Sequence, residues 1–179
     1  MRMVERLSRV AVILVILASA GVPAWASSPI EAKNGMVAAA HPLASQVGVD
    51  VLKRGGNAVD AAVAAAFALG VVEPNASGLG GGGFILIYNA KTKAVTAIDY
   101  REMAPLKATP DMYKLTPDGK VVDNEITVGH KAVAIPGTLA GLTLALKQHG
   151  SMSLKEVMSP SIRIAEEGYP VSKTLNGIM

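Results

Sequence analysis

The chain of 179 residues contains no cysteine. Disulfide bonds, thiolate metal sites and a cysteine nucleophile are therefore excluded, and any covalent chemistry must use another residue. The sequence also lacks runs of like charge, and its 17 lysines and arginines are nearly balanced by 14 aspartates and glutamates. Without a basic patch or arm, it has no electrostatic signature of nucleic-acid binding.

The sequence also lacks a stretch with the length and apolarity of a stable membrane span. Three arginines precede an apolar run over residues 10–20, which leads to the small-residue site Ala24-Trp25-Ala26. That run is about half of the roughly 20 residues that a spanning helix needs, whereas the pattern is typical of an export signal. We predict a signal peptide over residues 1–26 and a periplasmic or secreted location, with an uncleaved anchor as the alternative.

Apolar residues recur at helical spacing in the remaining chain, residues 27–179. Periodicity and stop signals predict four helices, which run from Pro42 to Leu52, Ala61 to Val72, Thr138 to Lys147 and Leu154 to Glu167. Asn57 with Asp60, and Ser153 with Glu156, are expected to cap the second and fourth helices. The second helix is apolar nearly all round, so it should be buried on most sides.

A segment with five glycines, Gly78 to Gly83, joins the second helix to the β-formers Phe84 to Tyr88. A second strand from Val95 to Tyr100 is expected to pair with the first as a hairpin. The unbroken apolar run of the first strand predicts burial on both of its faces.

Gly78, Gly80 and Gly83 have the spacing of a dinucleotide-binding loop. Such a loop must follow a strand and open a helix, whereas this segment follows a helix and opens a strand. We therefore predict several positions of positive φ among these glycines, and a close approach of chain to chain or of chain to ligand, with a simple tight turn as the alternative.

The pattern indicates an α+β fold with few strands for its number of helices. A lone hairpin is marginal, and its open edges invite further pairing. We expect the chain to be the N-terminal piece of a larger polypeptide, although a small self-contained α+β domain is the alternative.

Arg101 lies just beyond the second predicted strand, where a guanidinium could form a bidentate pair with a substrate carboxylate. The alternative is a salt bridge with Asp99 or Glu102, a common surface contact. The three histidines lie far apart and lack metal-ligand spacing.

Six segments, in order, resemble the start of the large subunit of gamma-glutamyltranspeptidases. They are residues 35–41 (GMVAAAH), 44–50 (ASQVGVD), 55–62 (GGNAVDAA), 78–84 (GLGGGGF), 99–105 (DYREMAP) and 133–137 (VAIPG). Together they span most of residues 27–179.

The resemblance implies an exported N-terminal nucleophile hydrolase with an αββα sandwich, of which this chain would hold an incomplete part. In that family the precursor cleaves itself into a large and a small subunit, and the newly exposed threonine attacks the γ-amide of glutathione or another γ-glutamyl donor. Water or an amino acid or peptide acceptor then releases the γ-glutamyl group. Arg101 corresponds to the arginine that binds the donor's α-carboxylate, and no metal or organic cofactor is implied.

The chain departs from the family because it contains no Thr-Thr-His or Thr-Ser-His segment. The nucleophile would then lie in the small subunit, and we expect this chain to be inactive alone. Two alternatives stay open: a related acylase acting on glutaryl or β-lactam side chains, and a non-catalytic, truncated exported module.

Overall fold

A computed structural model describes residues 29–179, so the predicted signal peptide over residues 1–26 lies outside the described residues. Residues 34–179 form one compact unit, and residues 29–33 belong to a separate N-terminal unit. Within the described range, no helix combines the length and apolarity needed to cross a membrane.

The described chain contains five α-helices and one antiparallel hairpin. In chain order these are α1 (Pro42–Lys53), α2 (Ala58–Val72), β1 (Phe84–Asn89), β2 (Ala94–Asp99), α3 (Thr138–His149), α4 (Leu154–Glu167) and α5 (Lys173–Ile178). Short 3-10 turns lie at Val122–Asn124 and His130–Ala132. The helices and the hairpin predicted from the sequence are confirmed, with ends that shift by up to three residues.

Side-chain caps decide where α2 and α4 begin. The Oδ1 atom of Asn57 accepts hydrogen bonds from the backbone N–H groups of Val59 and Asp60, and the carboxylate of Asp60 accepts one from the N–H of Asn57 at 2.7 Å. Ser153 and Glu156 form the same reciprocal arrangement at the start of α4. Both predicted caps are confirmed, and each satisfies N–H groups that a helix start leaves free.

Helix α2 forms the centre of the core. It packs against α1, α3 and α4, and its buried side chains include Val63, Phe67 and Val72. Alanines occupy many of the other positions and let the neighbouring helices approach closely. The predicted burial of this helix on most sides is confirmed.

The hairpin pairs Phe84 with Asp99 at one end and Asn89 with Ala94 at the other. Because side chains alternate along a strand, Ile85 and Ile87 face the helices and pack against the core. On the opposite face, Leu86 is 76% exposed. The prediction that β1 is buried on both faces is therefore wrong for the described residues, in which the helices cover only one face of the hairpin.

A long irregular segment connects β2 to α3. It is closed at its base by an antiparallel bridge, in which Met103 and Ile135 exchange backbone hydrogen bonds of 2.8 and 3.3 Å. The connection returns the chain to the end of the hairpin, so that the start of α3 lies beside the residues that follow β2.

Candidate active site at the end of the hairpin

Arg101 lies in a short stretch, residues 100–103, that is fixed at both ends by backbone hydrogen bonds. We call it the Arg101 stretch. On one side, the N–H of Tyr100 donates to the carbonyl of Gly83 at 2.9 Å, which adds a rung beyond β2. On the other side, the bridge between Met103 and Ile135 holds the chain. The backbone of Arg101 is therefore held firmly, as the sequence predicts for a residue at the end of a strand.

The side chain of Arg101 combines an ion pair with a free end. Its Nε atom donates to Oε2 of Glu102 at 2.9 Å, and its backbone N–H donates to Oδ1 of Asp99 at 2.9 Å. The side chain is 68% exposed, whereas that of Glu102 is 28% exposed. The salt bridge that the sequence offered as an alternative is present, and among residues 29–179 no hydrogen bond engages the two terminal nitrogens of the guanidinium.

A cavity of about 680 Å³ lies beside this stretch. The glycine segment, the end of α2 and the first residue of α3 enclose it, and Tyr100, Glu102 and Thr138 line it together with Asn75 and Ser77. Arg101 does not line this cavity. Of the two ion-paired residues, only Glu102 therefore lines the cavity.

The glycine segment lies directly against the Arg101 stretch. A Cβ atom on Gly82 would lie 2.6 Å from the carbonyl oxygen of Tyr100 and 2.8 Å from the amide nitrogen of Glu102. The carbonyl of Gly81 accepts hydrogen bonds from the N–H groups of Gly137 and Thr138, both at 3.0 Å. The segment thus joins the end of the hairpin to the start of α3.

Close approach explains two of the five glycines, Gly82 and Gly83. Only Gly78 in the segment has a positive φ, at 155°, so the prediction of several positive-φ positions is wrong. The predicted close approach of chain to chain is confirmed at Gly82. As the sequence order required, the segment follows a helix and opens a strand, which is not the arrangement of a dinucleotide-binding loop.

Two other titratable residues, Asp60 and His41, have structural roles. Asp60 is fully buried and caps α2, as predicted. The Nδ1 atom of His41 accepts a hydrogen bond from the N–H of Leu43 at the start of α1. Over residues 29–179, no three His, Asp or Glu side chains are grouped as metal ligands.

Sequence reasoning missed the contacts on the core side of the Arg101 stretch, where Tyr100 packs against Gly137 and Gly141. The strand period could have placed Tyr100 on the inner face, because it follows the buried Ile98 by two residues. No local pattern indicates that Gly137 and Gly141, about 40 residues further along, contact it.

Helices layered on one face of an antiparallel hairpin form an α+β fold, here a partial αββα sandwich of the N-terminal nucleophile hydrolase type. The structure is similar to the crystal structure of the Helicobacter pylori gamma-glutamyltranspeptidase, with a TM-score of 0.78 and 45% sequence identity over 84% of this chain and 43% of that chain. The family model for Gamma-glutamyltranspeptidase matches residues 44–179. The chain therefore belongs to the gamma-glutamyltranspeptidase family.

Sequence comparison with curated proteins agrees. The chain is 55% identical to the glutathione hydrolase proenzyme of Bacillus subtilis (strain 168), over 80% of this chain and 24% of that protein. It is 46% identical to the Acylase ACY 1 proenzyme of Pseudomonas sp. (strain V22), over 83% of this chain and 27% of that protein. The chain thus spans about a quarter of the length of the curated relatives that it matches.

Proposed function

We propose that this chain is the N-terminal portion of an exported gamma-glutamyltransferase and glutathione hydrolase. The whole enzyme cleaves γ-glutamyl amides, with glutathione as a donor, and transfers the γ-glutamyl group to water or to an amino acid or peptide acceptor. The family match supports this proposal, and one observation on the site supports it further: Arg101 is held at the end of the hairpin, and no hydrogen bond from residues 29–179 engages the terminal nitrogens of its guanidinium.

Arg101 binds the α-carboxylate of the donor in this proposal. A guanidinium presents parallel N–H groups that fit the two oxygens of a carboxylate. The ion pair with Glu102 uses Nε, so the two terminal nitrogens remain for the donor. Because Arg101 lies outside the adjoining cavity, the carboxylate is expected to bind at the exposed outer side of this stretch.

The bond-breaking group belongs to the small subunit, which self-cleavage of the precursor releases. The hydroxyl of its N-terminal threonine attacks the γ-amide carbonyl, with the threonine's own α-amine helping as the base. The amine of the donor leaves with a proton, and a γ-glutamyl ester remains on the enzyme. Backbone N–H groups stabilise the oxyanion that forms in each step, and water or an acceptor amine releases the γ-glutamyl group.

The large-subunit portion is inactive by itself, because one carboxylate-binding arginine supplies no covalent step. The enzyme acts in the periplasm or outside the cell, after removal of residues 1–26.

Turnover of a chromogenic γ-glutamyl anilide tests this proposal. The full-length, self-processed protein is expected to release the aniline, and purified residues 27–179 are expected to release none. Turnover by residues 27–179 that survives contaminant controls would contradict the assignment of the nucleophile to the small subunit. Failure of the full-length protein to turn over the anilide would contradict the proposed activity.

A second candidate function is that of an acylase for glutaryl or β-lactam side chains, which the similarity to the Acylase ACY 1 proenzyme favours. A glutaryl group also carries a free carboxylate that Arg101 could bind. The ratio of kcat/KM for γ-glutamyl and glutaryl anilides separates the two candidates. The proposed function predicts a clear preference for the γ-glutamyl compound, and a preference for the glutaryl compound would favour the acylase.

The remaining alternative is a non-catalytic exported module. Sequencing the coding DNA beyond Met179 distinguishes it, because the enzyme requires a frame that continues to a self-cleaving threonine. A stop codon directly after Met179 would favour the module.

A further inference from the structure

Tyr100 and Arg101 project to opposite sides of the same short stretch. The alternation of β2 continues past its end, so that Tyr100, like the buried Ile98, faces the helices and packs against the core. Arg101 points outward and is exposed. Tyr100 thus attaches the backbone next to Arg101 to the core.

Three glycines form a seat for Tyr100. A Cβ atom on Gly83 would lie 2.9 Å from the Oη atom of Tyr100, and one on Gly141 would collide with the Cβ atom and ring of Tyr100. A Cβ atom on Gly137 would collide with the Tyr100 carbonyl oxygen. Gly83 precedes β1, whereas Gly137 and Gly141 belong to the start of α3, so the seat joins both elements to the arginine stretch.

The Cβ atom and ring of Tyr100 contact Gly141, its hydroxyl and the adjoining ring edge contact Gly83, and its backbone carbonyl contacts Gly137. Within residues 29–179, Oη of Tyr100 forms no hydrogen bond. Its ring packs against Gly141 and the core. A phenylalanine should therefore replace it with little effect, and a small side chain should leave the stretch loose on its inner side.

We propose that Tyr100 is a positioning residue that aims the guanidinium of Arg101 at the donor's α-carboxylate. This inference rests on the proposed function. Regular pairing of β2 ends at Asp99. Beyond the rung between Tyr100 and Gly83, the seat of Tyr100 and the bridge at Met103 set the backbone at Arg101, and the ion pair with Glu102 then holds its side chain. A shift of about 1 Å at such a point can lower the rate of an enzyme on the order of 100-fold.

A double-mutant cycle in the full-length, self-processed protein tests the inference. Tyr100→Ala, Tyr100→Phe, Arg101→Ala and the double variant with both alanines are assayed with a γ-glutamyl anilide. Tyr100→Ala is expected to lower kcat/KM about 10- to 100-fold, mainly through KM, because it weakens a contact that binds substrate and transition state alike. Tyr100→Phe should stay within about 2-fold of the wild type, and in the Arg101→Ala background Tyr100→Ala should add less than about 2-fold.

The outcomes separate the two proposals. Arg101→Ala with unchanged kcat/KM would contradict the proposed role of Arg101. A loss in Arg101→Ala, accompanied by no loss in Tyr100→Ala or by an equal loss in both backgrounds, would contradict only the positioning role. If Tyr100→Ala fails to self-process, Tyr100→Leu takes its place in the cycle. Failure of both variants beside a normal Tyr100→Phe would show that the ring serves folding, and would contradict the inference.

Discussion

Ser151 binds the carboxylate of Asp60 with two donors: its backbone N–H lies 2.9 Å from Oδ1 and 3.2 Å from Oδ2, and its Oγ donates to Oδ2 at 2.6 Å. The N–H of Met152 donates to the same carboxylate at 3.1 Å, and that of Asn57 does so at 2.7 Å. Asp60 and Ser151 are 91 positions apart in the sequence. One buried carboxylate therefore joins the start of α2 to the connection between α3 and α4.

Replacing this carboxylate should destabilise the protein. Asp60→Asn keeps the size of the side chain but replaces an acceptor oxygen by a donor that faces N–H groups, so we expect a loss of about 2–4 kcal/mol in the free energy of unfolding. Denaturant unfolding of the full-length protein measures this loss. Asp50→Asn is the matched control, because Asp50 is exposed and its Oδ1 lies 3.8 Å from Nζ of Lys53. This substitution should lower the free energy of unfolding by less than about 0.5 kcal/mol. Equal losses in the two variants would contradict the role of Asp60.

The carboxylate of Asp60 should make the free energy of unfolding depend on pH in the acid range. Burial by itself would raise the pKa of Asp60, but hydrogen bonds from Ser151, Asn57 and Met152 outweigh it and hold the pKa below its usual value. A lowered pKa in the folded state adds stability above the unfolded value of about 3.9, and this stability is lost as the pH falls through the folded pKa. The free energy of unfolding of the wild type, measured between pH 7 and pH 3, should therefore fall more steeply at the acid end than that of Asp60→Asn. Parallel curves would contradict this prediction.

Gly150 should tolerate no side chain. Its φ of −79° is ordinary, but a Cβ atom would lie 2.6 Å from the carbonyl oxygen of Leu146 and 2.7 Å from Oδ1 of Asp60. Gly150→Ala is therefore expected to lower the free energy of unfolding by about 1–3 kcal/mol. Gly177 lies in α5, where a Cβ atom would meet no other part of residues 29–179 within 4 Å, so Gly177→Ala should be neutral or stabilising by up to about 1 kcal/mol. The prediction fails if both substitutions have the same effect in thermal or denaturant unfolding.

Within the glycine segment, two neighbouring positions should behave differently. Gly82→Ala places a methyl group against Tyr100 and Glu102, whereas a Cβ atom on Gly80 would meet nothing in the described part of the chain within 4 Å. The first substitution displaces the stretch that carries Arg101, and we expect it to lower kcat/KM for a γ-glutamyl anilide on the order of 10-fold or more. Gly80→Ala should stay close to the wild type. A larger loss in Gly80→Ala than in Gly82→Ala would contradict the close-approach explanation.

The local structure could be predicted from the sequence, because its causes are local. Asn57 and Ser153 are followed three residues later by acidic side chains that complete their caps, and Gly168, with a φ of 81°, ends α4 as expected. The end of β2 and the position of Arg101 beyond it follow from the same short-range signals.

Contacts between distant segments could not be predicted. Nothing near Asp60 indicates that Ser151 will bind it, and the seat of Tyr100 on Gly141 exists only once α3 has packed. The exposed face of β1 has the same explanation. An apolar run such as that around Leu86 indicates a strand that can be buried on both faces, but which neighbours cover each face depends on the rest of the fold.

The central claim is that Arg101 binds the α-carboxylate of a γ-glutamyl donor, and its most direct test compares two donors. The kcat/KM of the full-length, self-processed protein is measured for a γ-glutamyl anilide and for the analogue with an α-carboxamide, in the wild type, in Arg101→Lys and in Arg101→Ala. The wild type should prefer the carboxylate donor by about 100-fold or more, because a charged bidentate pair is lost with the amide. Arg101→Lys should retain part of this preference, since it keeps the charge but not the planar fork, and Arg101→Ala should abolish it. A preference that survives unchanged in Arg101→Ala would contradict the account.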